Sequence, residues 1–264
     1  DSDYAVVMPW IDGDTWFDIL QKRQKTTLDQ SRALAENMAW VLYALELNQM
    51  AHCDLSSGNV ILDPFMDQVN LVDVEDLYSP WLVPPPMIPA GSMGYQHRES
   101  AQNGQWGPLG DRFAGIVLMA EMLGWAHPDV RSQAWGESYF APDELQRDND
   151  RYRTLRSVLR IYDPGFAEAF EQAWRSEKIE ACPPLKTWYD LLDALPRDPV
   201  AEWAPISQKE LQDEPDTKPR KAARFEAQAE QTTDIQDDQK PRRSRQGCRM
   251  AAIIVAVLLL LCCC

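Results

Sequence analysis

The chain has few of the residues that usually hold metal ions or build disulfide frameworks. It contains three histidines and six cysteines in 264 residues. The cysteines form no Cys-x-x-Cys pair and no Cys/His spacing typical of zinc, and the last three are consecutive. The sequence therefore argues against a zinc site or a disulfide-stapled domain, and its cysteine usage is typical of a reducing compartment.

Positive charge is also scarce in the first three quarters of the chain. Residues 1–196 hold 15 Lys and Arg against 30 Asp and Glu, a net charge of −15, whereas residues 197–249 hold 11 of each sign. Such an acidic surface argues against a nucleic-acid backbone as the partner. A basic peptide substrate would suit this surface, but we favour the interpretation that the acidity only keeps the domain soluble.

The hydrophobic pattern predicts an α+β domain in which short hairpins are embedded in helices. A short apolar run at Tyr4–Met8 predicts a strand, and two more strands are predicted at residues 60–63 and 69–72, around a turn. Residues 79–92 are rich in proline and have no periodicity, so we expect a loop there. Helical patterns cover residues 27–50, 111–124, 143–162, 165–176 and 185–195.

Two of these helices have specific signatures. In residues 27–50, apolar side chains recur at three- and four-residue spacing, and Asp29 can cap the start. Residues 111–124 read DRFAGIVLMAEMLG and are apolar nearly all round, which is typical of a helix buried in the centre of a domain. The apolar positions of the first helix are Leu34, Met38, Val41, Leu42, Leu45 and Met50.

The C-terminal part differs in composition from the predicted domain. Residues 197–249 are polar and charged with scattered prolines, which predicts a disordered linker. Residues 250–264 carry no charge and follow the basic stretch KPRRSRQGCR. We interpret them as a transmembrane helix truncated by the end of the chain, with the preceding side in the cytoplasm. A tail anchored by acylation of the nearby cysteines is the alternative.

The stretch AHCDLSSGNVIL, residues 51–62, carries the most chemical information. Transfer of a phosphoryl group needs a carboxylate that orients the attacking hydroxyl, and oxygen ligands that hold Mg²⁺ across the phosphates. Asp54 can supply the first, while Asn59 and Asp73 can supply the second, because the predicted hairpin folds the chain back between them. We expect His52 to brace the loop. Taken alone, each of these residues is more often part of an ordinary polar turn.

The order of the surrounding segments strengthens the interpretation. VVMPWIDGDTWFDIL, HCDLSSGN, LVDVED, GSMGYQHRE and DRFAGIVLMAEML follow one another along the chain. In this order they resemble the hinge, catalytic loop, metal-binding segment, end of the activation segment and central helix of the eukaryotic-type protein kinase fold. The resemblance covers roughly residues 4–196, and the stretch HCDLSSGNV is similar to that of atypical bacterial kinase-like proteins.

This resemblance implies a mainly helical C-terminal lobe of a protein kinase, using ATP and Mg²⁺. It places Met8 at the gatekeeper position, and it assigns Ile11 and Asp14 to nucleotide binding together with Asn59 and Asp73. The same two residues, Asn59 and Asp73, would be the metal ligands.

Among the remaining positions, the resemblance makes Asp54 the catalytic base, with His52 and Ser56 beside it in the catalytic loop. Asp111 would bond the backbone of that loop. Ser92 lies in the activation segment, where we interpret it as a turn residue, with autophosphorylation as the alternative.

Several positions depart from the family pattern. Cys53 stands where an arginine is usual, and Ser56 replaces the lysine that helps to neutralise the transferring phosphate. Glu75 replaces the glycine of the metal-binding segment, which adds negative charge near the metal. Cys182 replaces the arginine that pairs with Glu99, so Glu99 is expected to bond locally or to lack that partner.

The resemblance begins at the hinge, so the N-terminal lobe is missing from this chain, and we expect the polypeptide as it stands to bind ATP poorly. Three functions remain open. The first is a membrane-tethered serine/threonine-type protein kinase with an unknown protein substrate and its catalytic lobe in the cytoplasm. The second is a pseudokinase or scaffolding module, which the four departures favour. The third is a small-molecule phosphotransferase of related fold. No nucleic-acid partner is expected.

Overall fold

The computed structural model describes residues 10–196. The predicted strand Tyr4–Met8, the linker 197–249 and the membrane helix 250–264 lie outside the described residues. The described part is α+β, with about 51% helix and one small two-stranded sheet.

Eight α-helices and two short strands make up the described residues. The strands β1 and β2 pair antiparallel, with Val60 opposite Leu71 and Leu62 opposite Val69. Single 3₁₀ turns lie at Ser57–Asn59, Pro142–Glu144 and Ile179–Ala181. In chain order the elements are α1 (Trp16–Lys22), α2 (Leu28–Leu47), β1 (Val60–Leu62), β2 (Val69–Leu71), α3 (Arg98–Asn103), α4 (Arg112–Gly124), α5 (Pro128–Gln133), α6 (Asp150–Tyr162), α7 (Pro164–Arg175) and α8 (Leu185–Asp193).

Helix α4 is the centre of the core, as its apolar sequence predicts. Every residue from Gly115 to Gly124 is buried, and the helix packs against α2, α6, α7 and α8. Burying a leucine-sized side chain contributes roughly 1.5–3 kcal/mol. A helix with so little exposed surface therefore holds the surrounding helices in place, and its first turn provides a rigid base for nearby loops.

Two of the predicted helix starts are wrong in detail. The cap of α2 is Thr27, whose hydroxyl accepts a hydrogen bond from the backbone N–H of Gln30 at 3.1 Å, and Asp29 only lies in the first turn. Helix α6 begins at Asp150 rather than near residue 143, because Asn149 caps it by accepting from the N–H of Tyr152 at 2.9 Å. In both places the hydroxyl or amide side chain satisfies a backbone donor that the helix leaves free.

The segment before α1 is held against the sheet by its backbone. The Leu62 N–H donates to the Asp14 carbonyl at 2.8 Å. At Gly13, with φ of +146°, an added Cβ would lie 1.7 Å from the Leu62 carbonyl oxygen. Only glycine fits this conformation and this close approach. The backbone from Gly13 to Asp14 is therefore held in one position beside the β1–β2 hairpin.

Candidate functional site

The loop between α2 and β1 is anchored by a carboxylate at the start of α4. Asp111 is buried, and its two oxygens accept hydrogen bonds from the backbone N–H groups of His52 at 2.7 Å and Cys53 at 2.9 Å. Burial raises the pKa of Asp111, while His52 and the two N–H bonds act in the opposite direction. This arrangement confirms the expected bond between Asp111 and the loop backbone.

His52 joins the loop to the strand that follows it. The imidazole is fully buried, and its Nε2 lies 2.8 Å from the Val72 carbonyl oxygen. The Asp54 N–H donates to Nδ1 at 3.4 Å, so a ring proton on Nε2 satisfies both partners. The contacts agree with the expected bracing role, and they place Asp73, the residue after Val72, beside the loop.

Asn59 completes the connection between loop and hairpin. Its side-chain amide donates to the Asp54 carbonyl at 2.8 Å, and its backbone carbonyl accepts from the Val72 N–H at 3.0 Å. Because the amide nitrogen is used in this way, Oδ1 keeps its acceptor capacity and has no hydrogen bond within the described residues. These bonds hold the Asp54 backbone to Asn59 and place Val72, the residue before Asp73, against the same loop.

The donor set at this place suits a hard cation that keeps most of its water. Asp73 is exposed, with φ of +59°, and its carboxylate accepts no hydrogen bond from the described residues. One carboxylate and one amide oxygen are typical protein ligands for Mg²⁺, which completes its shell with water and substrate phosphates. Within residues 10–196, no group of three or more His, Cys, Asp or Glu side chains could hold a metal by itself.

Ser92 contacts the proposed catalytic base directly. Its hydroxyl donates a hydrogen bond to Oδ1 of Asp54 at 2.7 Å, and both residues are half-buried. The Tyr95 N–H donates to the Ser92 carbonyl at 3.0 Å, so a turn does form here as predicted. The sequence contains no signal for the side-chain contact, because the two residues are 38 positions apart.

Neither Cys53 nor Ser56 contributes a positive charge to this site. Cys53 is buried, with its Sγ 3.8 Å from the Gly107 carbonyl oxygen, and burial raises the pKa of its thiol to about 12. The thiol is therefore neutral and packs as a small apolar group. The hydroxyl of Ser56 makes no hydrogen bond to a described residue. Within the described residues, no Lys or Arg side chain pairs with Asp54 or Asp73.

A second buried carboxylate lies in the middle of α4. Glu121 is fully buried and accepts hydrogen bonds from Trp16 Nε1 at 2.9 Å, from the Tyr95 hydroxyl at 2.9 Å and from the Tyr139 N–H at 3.1 Å. Burial raises the pKa of Glu121 to about 7, although the three hydrogen bonds act in the opposite direction. The sequence analysis missed this cluster. A lone glutamate inside an otherwise apolar helix is the signal that could have indicated it.

The remaining positions that the resemblance assigns to nucleotide binding, Met8, Ile11 and Asp14, precede helix α1. Met8 lies outside the described residues. Ile11 is half-buried, and the exposed Asp14 carboxylate pairs with Lys22 at 3.3 Å. No hydrogen bond within the described residues links Ile11 or Asp14 to Asp54. The backbone carbonyl of Asp14 accepts a hydrogen bond from the Leu62 N–H, which ties this segment to strand β1.

The Glu99 carboxylate accepts a hydrogen bond from a backbone N–H rather than from a cationic side chain. This agrees with the expectation that Glu99 lacks its usual arginine partner. Its Oε2 accepts from the Ile179 N–H at 2.9 Å, in the 3₁₀ turn that precedes Cys182. Cys182 itself is buried with its Sγ 3.2 Å from the Ser176 hydroxyl. The Glu99 carboxylate therefore bonds a backbone N–H of this turn, where the resemblance implies an ion pair with an arginine.

Comparison with known proteins does not extend these observations. No protein-family model matches the chain, and no curated protein sequence matches it significantly. Among residues 10–196, no helix is both long enough and apolar enough to cross a membrane. The geometry of the loop and hairpin therefore has to support the functional argument.

Proposed function

We propose that this chain forms the larger, C-terminal lobe of a kinase-like phosphotransferase. The proposed activity is that of a membrane-tethered serine/threonine-type protein kinase, which transfers the γ-phosphate of ATP to a protein hydroxyl. One observation supports the proposal best: the Asp54 carboxylate accepts a 2.7 Å hydrogen bond from a serine hydroxyl, that of Ser92. An acceptor hydroxyl needs the same relationship to a catalytic carboxylate.

The proposed roles follow from the contacts of each side chain. Asp54 orients the acceptor hydroxyl, and its backbone is held by His52 and Asn59. The acceptor oxygen attacks the γ-phosphorus, the bond to the β-phosphate oxygen breaks and ADP leaves, while the hydroxyl proton passes to Asp54. Asn59 and Asp73 would hold Mg²⁺, which neutralises charge on the phosphate oxygens when it is bound.

The rigidity of the loop supports the proposal further. Cys53 and Asp73 both have positive φ, of 66° and 59°, although neither is a glycine. Such backbone costs on the order of 1–3 kcal/mol at Cys53 and less at Asp73, because aspartate tolerates the left-handed region, and it persists where surrounding bonds hold it. The Asp111 carboxylate and the Val72 backbone provide those bonds. Strained loop residues next to a half-buried aspartate are typical of a preorganised functional site, in which a side chain is held in one orientation.

A pseudokinase or scaffolding module is the second candidate, and a specific observation favours it. The neutral thiol of Cys53 and the hydroxyl of Ser56 provide no positive charge, and Asp54 and Asp73 have no Lys or Arg partner within the described residues. Electrostatic stabilisation is usually the largest contribution to catalysis, so an active enzyme of this type should be slow. Binding without transfer would require no such cation.

The test is phosphate transfer from ATP–Mg²⁺ by the full-length protein and by an Asp54→Asn variant. The proposed kinase should transfer phosphate to peptide hydroxyls, and the variant should lose roughly 10²–10⁴-fold in rate, the usual contribution of general acid–base catalysis. Asp29→Asn is a matched control, because that exposed aspartate makes no side-chain hydrogen bond to a described residue.

Three other results would redirect the proposal. Wild-type transfer no higher than that of Asp54→Asn would exclude the kinase. Nucleotide binding without transfer would favour the pseudokinase. Transfer to a small metabolite but to no peptide would favour a small-molecule phosphotransferase.

The membrane tether is proposed from sequence alone. Residues 250–264 are uncharged, and they follow a cluster of Lys and Arg that is typical of the cytoplasmic side of a membrane helix. Fractionation of full-length protein and of a form that ends before Met250 provides the test. The shortened form should remain in the soluble fraction. If it still sediments with membranes, this tether is wrong.

A further inference from the structure

The three groups that bond the buried Glu121 carboxylate are all donors, and only one of them can reverse its role. Oε1 accepts from the Tyr139 backbone N–H at 3.1 Å, while Oε2 accepts from Trp16 Nε1 and from the Tyr95 hydroxyl, both at 2.9 Å. A backbone N–H and an indole N–H can only donate, whereas a hydroxyl can also accept. Tyr95 is therefore the one of these three partners that can receive a hydrogen bond from a protonated Glu121.

The groups that face Glu121 stay neutral while Glu121 titrates. Burial raises the pKa of Glu121 to about 7, and it also raises the pKa values of Tyr95 and Tyr139 above their usual range, so both phenols keep their protons. Around this cluster, the charged side chains of the neighbouring elements pair with one another: Asp18 with Lys22, Glu46 with Arg112, Glu144 with Arg151, and Glu171 with Arg156. Glu121 therefore takes up or releases its proton near neutral pH without a change of charge on the groups that it contacts.

Ser57 gives the Tyr95 hydroxyl a second partner, in the loop that carries Asp54. The Ser57 hydroxyl donates to the Glu137 carbonyl at 2.6 Å, so toward any other group its oxygen can only accept. Ser57 and Tyr95 are both buried, and besides Glu121 it is Ser57 whose side chain acts on the Tyr95 hydroxyl. The Tyr95 hydroxyl therefore lies between a carboxylate of α4 and an acceptor three positions after Asp54.

We propose that Tyr95 is a positioning residue whose hydroxyl turns from Glu121 to Ser57 when the Glu121 carboxylate takes up a proton. With Glu121 ionised, the Tyr95 O–H donates to Oε2. With Glu121 protonated, the new O–H of Glu121 donates to the Tyr95 oxygen, and the Tyr95 O–H donates to the Ser57 oxygen. One proton is bound from solvent and no other covalent bond changes. The bonds from Trp16 and Tyr139 are kept in both states.

This exchange changes how firmly the Asp54 loop is held. The Tyr95 N–H donates to the Ser92 carbonyl at 3.0 Å, and the Ser92 hydroxyl bonds the Asp54 carboxylate. Below pH 7, Tyr95 adds a hydrogen bond to Ser57 and so holds the loop at a second point. Above pH 7 that second bond is lost. Only the effect of this change on the reaction rate rests on the proposed function.

The test is a double-mutant cycle of Tyr95→Phe and Ser57→Ala in the full-length protein, measured by urea unfolding at about pH 5.5 and about pH 8.5. At the lower pH, the two residues should be coupled by about fivefold in the unfolding equilibrium constant, the size of one net hydrogen bond. At the higher pH, the coupling should fall below about twofold, because Tyr95 then donates to Glu121. In a Glu121→Gln background, which cannot titrate, the coupling should be the same at both pH values.

Tyr139→Phe combined with Ser57→Ala is the matched control. Tyr139 is also buried beside Glu121, but its hydroxyl donates to the Arg151 carbonyl at 3.1 Å and not to the carboxylate. This pair should show no coupling at either pH. Loss of a tyrosine hydroxyl near Glu121 is thereby separated from loss of the proposed bond to Ser57.

The reaction rate provides a second measurement. With a peptide substrate, the ratio of kcat in wild type to kcat in Tyr95→Phe should decrease by up to about fivefold from the lower to the higher pH, since one hydrogen bond is lost. If wild type transfers no phosphate, the proposed kinase activity is wrong, whereas a coupling seen only at the lower pH still supports the turn of the Tyr95 hydroxyl.

Four results would overturn the proposal. Equal coupling at both pH values in the wild-type background would show a permanent bond between Tyr95 and Ser57, and no coupling at either value would show that they do not bond. Stronger coupling at the higher pH would contradict the assigned direction. In a protein that does transfer phosphate, a kcat ratio that does not change with pH would exclude the positioning role.

Discussion

The Ser92 hydroxyl donates a 2.7 Å hydrogen bond to Oδ1 of Asp54, across 38 residues of sequence. The Asp54 side chain makes no other hydrogen bond to a described residue, so Ser92 alone holds the orientation of its carboxylate. Oδ2 remains available to a second hydroxyl, because each carboxylate oxygen is an independent acceptor. The contact therefore gives Ser92 a positioning role in the proposed reaction.

Replacing Ser92 should slow the proposed transfer without preventing folding. In Ser92→Ala the carboxylate of Asp54 is free to turn, and we expect kcat to fall about tenfold, equivalent to about 1.4 kcal/mol. Ser92→Thr keeps the hydroxyl and should restore most of the rate. Steady-state kinetics with a peptide substrate provide the measurement. A rate that rises in Ser92→Ala would show instead that Ser92 competes with the acceptor hydroxyl.

Removing the charge of Asp73 should weaken metal-dependent nucleotide binding. Asp73→Ala should abolish the Mg²⁺-dependent part of ATP binding. Asp73→Asn should reduce the Mg²⁺-dependent affinity at least about tenfold, because Asp73 is the charged member of the proposed pair of Mg²⁺ ligands. Asparagine tolerates the positive φ at this position, which separates loss of charge from backbone strain. Asp76→Asn is the control. Titration of the full-length protein with ATP, with and without Mg²⁺, measures the effect, and equal affinity of wild type and Asp73→Asn would refute the assignment.

A side chain at Gly13 should destabilise the domain. In Gly13→Ala the new Cβ would lie 1.7 Å from the Leu62 carbonyl oxygen, at a φ of +146° that alanine rarely adopts. We expect the free energy of unfolding to fall by about 3 kcal/mol or more, from strain and overpacking together. Gly107→Ala is a matched control, since a Cβ there meets no atom within 4 Å. Urea unfolding measures both, and equal effects of the two substitutions would contradict the argument.

Glu121 should make stability depend on pH in the opposite direction from an ordinary ion-paired carboxylate. Its pKa is raised from 4.5 to about 7 in the folded chain. Between these values the folded state binds more protons than the unfolded state, so stability falls as pH rises from about 4.5 to 7 and then levels off. The loss attributable to Glu121 is on the order of 3 kcal/mol at most.

The measurement compares wild type with Glu121→Gln, which cannot titrate. As pH rises from 4.5 to 7, wild type should lose stability relative to Glu121→Gln. The amide can have its own cost beside Trp16, Tyr95 and Tyr139, but that cost does not change with pH. A difference that does not change across this pH range would show that Glu121 keeps an ordinary pKa.

Short-range patterns in the sequence predicted most of the secondary structure. The spacing of apolar residues predicted α2, the all-round apolar sequence predicted the buried helix α4, and two short runs around a turn predicted β1 and β2. Helix α6 was misplaced where one polar side chain, that of Asn149, sets the boundary, and the short helices α3 and α5 were not predicted. Several residues near such a boundary are able to cap, and the local pattern does not say which one forms the bond.

The parts of the candidate site differ in how far they could be predicted. His52, Asp54, Asn59 and Asp73 lie close together in sequence, and the hairpin that unites them is local. The bond from Asp111 to the loop followed from the resemblance, because it joins residues 59 positions apart. Sequence reasoning missed the contact between Ser92 and Asp54, and it also missed the three donors around Glu121. It identified residues 79–92 as a loop but did not indicate how exposed Trp81 is.

The sequence by itself determined the longer helices α2, α4, α6, α7 and α8, where the hairpin turns and which oxygen-bearing side chains lie along one loop. These features depend on periodicity and turn chemistry over a few residues. Only the tertiary structure decided which distant groups meet, as Ser92 meets Asp54, and which apolar side chains stay uncovered, as Trp81 does. A serine can bond many acceptors and a tryptophan can be buried or exposed. The choice is made by the packing of elements far apart in the chain, which no local pattern encodes.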